Sequence, residues 1–495
     1  MTDSNRLRLT TIREQTFGVT PSPTPRMRTA RITGESLSYS PQFVNSEELR
    51  DDRMSSDPIK VNEQNQGGIN FELSYPVDNS PFSDFLQSLM YNAWQNTPQR
   101  DNDGTADSVI TGVADTTDVV TVTTGDAFVA GHLVRQTGFS NAANNGVFKV
   151  TTGSATVPAM LGANFVAESA PPAAARMKVV GFEGASGDIT ALADGLGSTS
   201  LDFTTLGLRA GQWVKIGGTA DGTTFAFLVT AGATARGNAW ARISATPTAT
   251  KLPLDNLPSG WTTDSGTSKT IRVFFGDQIR NGVTRSSLTI ERGFMGQTVP
   301  TYIVQRGMIV GQGDLSYTTE QIITGSFTLQ GLAGSQGTTS LDGTPDAPTT
   351  NRIMSANVNV GRISESGAAV ASPNFVRSAQ ITHNNNLRPI TAVGNVGAVD
   401  IGVGECQVEG TLETYFGSNA LLAKLLAGDA GSINLRTAKD GQAVIDALPR
   451  VTFTGGAPSA GGKNQDVMIS LTFQASKDTL TAAHRVIDRV EYFEA

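Results

Sequence analysis

A chain of 495 residues is too long for one ordinary domain and points to roughly two to four compact units. The net charge of −8, with a pI near 5.1, disfavours tight binding of nucleic acid to a basic face. One cysteine and three histidines argue against a disulfide-built scaffold and against most histidine-centred catalysis.

In chain order, the N-terminal MTDSNRLRLTTIREQTFGVTP lacks the apolar core of a secretory signal, and nowhere do the roughly eighteen apolar residues of a membrane span run together. A soluble chain with no membrane span is expected. SEELRDDRMSSDP, residues 46–58, then carries seven charged side chains of both signs in thirteen positions, in a chain that is 17% charged. Such alternation marks a solvated loop first of all. In PFSDFLQSLMYNAW, the residues Phe82, Phe85, Leu86, Leu89, Met90 and Ala93 recur at three- and four-residue steps, which predicts an amphipathic helix. Beyond it the pattern is strand: VITGVADTTDVVTVTT, TIRVFFGD, SSLTIERGF, TYIVQRGMIV, IITGSFTLQG, ANVNVGRI and VMISLTFQAS are rich in Val, Ile, Thr and Phe and bounded by Gly, Asn or Asp. SNALLAKLLAG interrupts them as a second predicted helix, with Ser418 as N-cap and Gly428 as its stop. Both helical stripes are expected to cover a sheet face in an all-β fold.

An internal repeat divides the chain. FVAGHLVRQTG (128–138) matches LRAGQWVKIGG (208–218), and ARMKVVGFEG (175–184) matches KTIRVFFGD (269–277). Each unit opens at an Ala-Gly turn and closes on a basic, then aromatic strand. Two small tandem β domains are expected at 105–185 and 186–279, inserted in a host domain made of residues 1–104 and 280–495. With nearly balanced charge the insert is expected to lie outside any assembly and to be replaceable by a short linker.

The search for chemistry is negative. No phosphate loop, paired-histidine zinc motif, CxxC pair or nucleophile elbow occurs. DNDGTAD (101–107) is similar to a calcium loop but lacks the closing Glu and reads as linker. Cys406 and His383 could be paired as nucleophile and base, yet no third orienting group is placed, and GVGECQVEGTL reads as a strand packing a small thiol. His132 occupies the turn position where the second repeat has Gln212, and His484 reads as a surface residue. No catalytic, cofactor-binding or metal residue is assigned, and no enzyme is expected. Composition alone would also allow a secreted adhesin or carbohydrate-binding protein of tandem β modules, or a hydrolase using an Asp/Glu pair.

The host segments RITGESLSYSPQFVNSEELRDDRMSSDP, GGINFELSYP, SDFLQSLMYNAW, SLTIERGFMGQTVPTYIVQRGMIVGQGDLSYTTEQIITGSFTLQG, THNNNLRPITAVGNVGAVDIGVGECQVEGTLETYF and LPRVTFTGGAPSAGGKNQDVMISLTFQAS together resemble, in order, the tail tube (major tail) protein family of long-tailed, siphovirus-type bacteriophages. The resemblance stops near Thr97 and resumes near Thr284, where the repeats place the insertion. It implies a tail-tube β-sandwich or barrel with a flanking α-helix, hexameric rings stacked as a hollow tube, and location in the virion tail after assembly in the host bacterial cytoplasm. Implied partners are further copies of the chain, a tape measure protein, a tail terminator, distal tail proteins, and viral DNA passing without specific binding. The hairpin from SSLTIERGF to TYIVQRGMIV and the strands IITGSFTLQG and ANVNVGRI are favoured for the lumen. In such a tube Glu47, Glu48, Arg50, Asp51, Asp52 and Arg53 become candidates for contacts between subunits or rings.

Overall fold

In the computed structural model, which describes residues 4–22, 26–102, 109–218, 224–228, 239–370 and 372–492, the first helical pattern is the helix Pro81–Met90. Ser80 caps it, its Oγ accepting the Ser83 N–H at 3.3 Å, and Pro81 occupies the first turn, where no amide partner is needed. Phe85, Leu86, Leu89 and Met90 are buried, and Phe85 packs 5.4 Å from Phe327, which itself stacks 4.7 Å from Phe71. The helix therefore covers a sheet face, as its spacing predicts.

The second helix, Ala420–Ala427, stops at Gly428, which adopts φ 69° and donates its N–H to the carbonyls of Lys424 and Leu425. Its N-cap is Asn419 instead of Ser418. Asn374 takes Ser418 away from capping, donating to its Oγ at 2.7 Å and accepting its N–H at 2.8 Å. ANVNVGRI also departs from expectation: Ala356–Asn359 is one helical turn, and only Val360–Glu365 is strand. There Asn359 Oδ1 accepts the Ser355 N–H at 2.8 Å, a local bond that competes with a strand ladder.

The rest is mostly antiparallel β structure. One sheet system takes strands from both chain ends. Ser38–Val44 pairs with Ile59–Glu72, which continues through Thr324–Gln330, Thr301–Thr318, Val376–Asn384, Gln407–Tyr415 and Val467–Ala475 to Gln442–Gly455. Thr301–Thr318 serves two neighbourhoods: its first half pairs with Leu288–Phe294 and Ala333–Gly337, its second with Thr324–Gln330 and Val376–Asn384. The change falls beside Gly307, whose φ of 65° disfavours a side chain and whose N–H is donated to Glu14 Oε1 at 2.9 Å. Leu288–Phe294 also pairs with Leu7–Arg13, tying down the N-terminus.

A second sheet is built between Gln99 and Phe274. Its order runs Gly146–Lys149, His132–Thr137, Arg176–Glu183, Ile271–Phe274, Trp213–Gly218, Ala239–Ile243 and Lys251–Asp255. The repeat is visible in its centre, where Arg176–Glu183 and its counterpart Ile271–Phe274 lie side by side. Their apolar residues, from Ile110 to Phe275, form one cluster that spans both repeats, separate from the cluster around Phe71, Phe327 and Leu471. Where the chain enters and leaves this region, Gln95 and Gln278 exchange backbone hydrogen bonds of 2.8 and 3.2 Å. The calcium-like segment falls largely on residues 103–108, outside the described residues.

Candidate assembly surfaces

Alternation along the first sheet system separates a buried face from a polar one. Ile69, Phe71, Phe327, Ile381, Leu412, Leu471 and Phe473 point to the core. The intervening positions align in rows. Asn70, Ser326, Asp314, Thr382, Glu409, Gln474 and Thr452 stand opposite one another across seven strands. The next row reads Glu72, Thr324, Ser316, Gln380, Thr411 and Thr472. Hydroxyls and amides fill these rows, with three carboxylates and no Lys or Arg. Asp314 is held by three neutral donors, Thr382 Oγ1 at 2.8 Å, Ser326 Oγ at 3.3 Å and Gln312 Nε2 at 3.0 Å. Among the described residues, this face ends in two strands with one neighbour each, Ser38–Val44 and Pro458–Ala460.

Ser38–Val44 and the start of Ile59–Glu72 form an arm whose tip is the charged segment. Glu48, Arg50 and Asp52 are brought together at the tip: Arg50 donates to Asp52 at 3.0 and 2.6 Å and to Glu48 at 3.4 Å. Arg50 holds the Asp52 carboxyl below its ordinary range. Glu47, Asp51 and Arg53 stand exposed, with no ion pair among the described residues. Apolar side chains sit among these charges. Phe43, Val44, Leu49, Met54 and Ile59 are all solvent-facing, Leu49 completely so at 103%. Large apolar groups gathered on one projection set this segment apart from an ordinary solvated loop.

The buried titratable groups have packing roles. His132 Nδ1 accepts the Val129 N–H at 3.1 Å, leaving Nε2–H to meet the Leu206 carbonyl at 3.2 Å. Gln212 does the same in the second repeat, accepting the Arg209 N–H at 3.2 Å and donating to the Gly276 carbonyl at 2.7 Å. Burial lowers His132 to about 4. His383 lies 3.3 Å from Cys406 Sγ, but burial, with Arg485 nearby, lowers the imidazole to about 3, and burial pushes the thiol up to about 11. That pair is a neutral imidazole beside a protonated thiol, without a nucleophile. His484, read as a surface residue, is half-buried and donates its N–H to Asn281 Oδ1 at 2.8 Å. Among the described residues, no group of three or more His, Cys, Asp or Glu side chains could hold a metal ion, and no helix is long and apolar enough to cross a membrane.

Sequence reasoning missed the largest electrostatic feature, a buried cluster joining the two sheet systems. Asp277 Oδ2 accepts the Arg489 Nε–H at 2.7 Å and pairs with Lys178, while its Oδ1 accepts the Thr97 N–H at 2.8 Å. Asp78 pairs with Lys178 at 2.6 Å and with Arg176 and Arg489. Burial by itself would raise the Asp78 carboxyl, but Lys178, Arg489 and Arg176 together draw it far below the usual range. Arg489 is completed by the Pro76 carbonyl at 2.7 Å, Ser83 Oγ at 3.0 Å and the Trp94 ring face at 4.1 Å. Nothing in the local sequence signals this cluster, because its members are far apart in the chain and each sits in an ordinary strand or turn.

A mostly antiparallel β protein that uses its histidines and cysteine for packing, and presents a broad polar sheet face with a charged, apolar-tipped arm, belongs to the class of structural assembly proteins. The chain matches the phage tail tube protein family over residues 4–475 and belongs to that family. It is a structural protein of the phage tail and not an enzyme. No curated protein matches it.

Proposed function

We propose that the chain closes into hexameric rings which stack as the wall of a siphovirus-type tail tube, with the polar sheet face turned to the bore through which the genome leaves. The observation that carries this reading is the pair of aligned rows from Asn70 to Thr452 and from Glu72 to Thr472, which hold carboxylates and neutral groups and no cation. Such a wall repels or ignores a polyanion, whereas a basic wall would retain phosphates. The partner-poor edges Ser38–Val44 and Pro458–Ala460 suit edge-to-edge joining of neighbours, which removes open strands and closes a barrel. Of the segments favoured for the lumen from sequence, IITGSFTLQG supplies Thr324 and Ser326 to the polar face, and the strand that begins with TYIVQRGMIV supplies Asp314 and Ser316 from its second half. Leu288, Ile290 and Met308 of the favoured hairpin are core residues.

In this reading the host β-sandwich comprises residues 1–104 and 280–495. Residues 105–185 and 186–279, tandem β repeats that share one core, decorate the outside, because their bulk in the channel would block it. The arm bearing Glu47, Glu48, Arg50, Asp51, Asp52 and Arg53 contacts a neighbouring subunit or the next ring. A heterologous contact that closes by rotation gives rings, and a second axial contact extends them. A tape measure protein would occupy the tube before DNA, with a terminator and distal tail proteins at its ends. Negative-stain microscopy of the purified protein tests this reading: rings or hollow tubes are expected, and a persistent monomer at high concentration would overturn it.

A further inference from the structure

We propose that the C-terminal strand Val486–Glu491 is a latch that fuses residues 96–277 to the tube body as one cooperative unit, so that the outer region is a rigid brace and not a hinged appendage. The inference rests on contacts within one chain and does not depend on how copies assemble.

A neck of two backbone hydrogen bonds between Gln95 and Gln278 would by itself allow bending. The C-terminal strand removes that freedom. It lies between Asp277–Arg280 on one side and Gln442–Gly455 on the other, hydrogen-bonded to both. Its consecutive side chains are all engaged. Ile487 enters the tube-body core. Asp488 Oδ1 accepts from Gln278 Nε2 at 2.9 Å. Arg489 joins Asp78 of the body to Asp277 at the end of the outer region. Val490 packs with Leu133, Val180, Trp213, Trp240 and Phe274 of the outer sheet and with Ala443 and Ile445 of the body. Glu491 pairs with Arg135 at 3.0 Å.

The charge cluster makes this seam an all-or-none closure. Arg489 and Asp277 are both almost completely buried, with side-chain exposures of 1% and 0%. Removing one partner leaves the other charged and out of water, which costs far more than an exposed pair would. Lys178 belongs to the outer sheet, Asp78 and Arg489 to the body, and Asp78 and Arg489 are 411 residues apart. Closure therefore needs segments far apart in the chain to meet. Replacing the outer region with a linker would take away Lys178 and Asp277 together and uncover Ala443, Ile445 and Val490. The linker exchange expected to be harmless from sequence thus becomes a folding defect.

Hydrogen exchange on the full chain tests the latch. In the wild type, amides of Arg176–Glu183 and Val486–Glu491 should share one opening rate, and calorimetry should show one transition for the monomer. Arg489→Met should speed exchange in both segments by about tenfold or more while Thr324–Gln330 changes little. Faster exchange confined to Val486–Glu491 would overturn the proposal. If Arg489→Met does not fold, the wild type decides alone: separate opening rates for the two segments, or two calorimetric transitions, would mean that the outer region merely rests on the body.

Discussion

Arg489 donates its Nε–H to Asp277 Oδ2 at 2.7 Å, linking the strand Val486–Glu491 to the residue at which the second sheet returns to the first sheet system. The guanidinium is stacked on Trp94 and fully desolvated, so its value lies in what happens when it is left unmatched. Arg489→Met should lower unfolding free energy by about 3–5 kcal/mol in urea titrations, because Asp277 and Asp78 lose a buried cation. The double variant Arg489→Met with Asp277→Asn should cost clearly less than the sum of the single changes. Strict additivity would show that the two residues do not act as a pair.

How much of this was readable beforehand depends on whether the information is local. The helix Pro81–Met90 and the stop at Gly428 follow from spacing and a single backbone requirement, so they were legible. The equivalence of His132 and Gln212 was legible too, because the Ala-Gly turn repeats the same local geometry. Ser418 was misassigned because a residue distant in sequence, Asn374, competes for it. The polar face could not be identified from alternation alone, since which of two faces is solvated depends on register across strands from Asn70 to Thr452. The Asp78, Lys178, Asp277 and Arg489 cluster is wholly a product of tertiary structure.

Stability should peak at slightly acid pH. Burial pushes the Asp488 carboxyl up to about 8, against opposition from Gln278 and Arg280. The unfolded value is about 3.9, so between these values the folded chain holds a proton that the unfolded chain lacks, and stability falls as pH rises through that window. His383, lowered to about 3, and His132, lowered to about 4, act in the opposite sense. Below about 6.5 the unfolded chain binds protons that these two refuse, and stability falls as pH drops. Two histidines outweigh one carboxyl on the acid side, which places the maximum at about pH 6–6.5, set by the unfolded histidine pKa of about 6.5. Denaturation midpoints at about pH 5, 6.5 and 8 should show the peak, and Asp488→Asn should flatten its alkaline side. An unchanged wild-type midpoint between the two higher values would mean that Asp488 is already ionised.

A cation on the polar face should turn an inert wall into an adhesive one. Gln380 lies mid-row between Ser316 and Thr411, well away from the core. Gln380→Lys should fold with little change in stability, as an exposed substitution. If the row lines the bore, assembled Gln380→Lys tubes should retain short duplex DNA at low salt in a nuclease-protected form and release it as salt rises, while wild-type tubes retain none. DNA that stays nuclease-sensitive would place this face outside the tube.

The arm carries the most direct prediction about assembly. Arg50 already pairs with Glu48 and Asp52 within its own loop, so it shapes the tip, whereas Glu47, Asp51 and Arg53 are free to meet another copy. The neighbouring Phe43, Leu49 and Met54 give such a meeting an apolar component that salt does not screen. A solvated loop would need neither the order of charges nor the exposed apolar groups. Reversing Arg50 and Arg53 to Glu should leave the folded subunit intact by circular dichroism, since the whole loop is exposed, yet yield short stacks or free rings by microscopy. In the proposed ring each contact would be weak, but symmetry would repeat it, so small losses per subunit would add up. Wild-type tubes should shorten in high salt as the ionic part is screened, but not dissolve completely, because the apolar part persists. Leu49→Ser with Met54→Ser should remove that residual salt resistance. Reversed-charge tubes of normal length and normal salt tolerance would show that the arm's charges only keep it solvated.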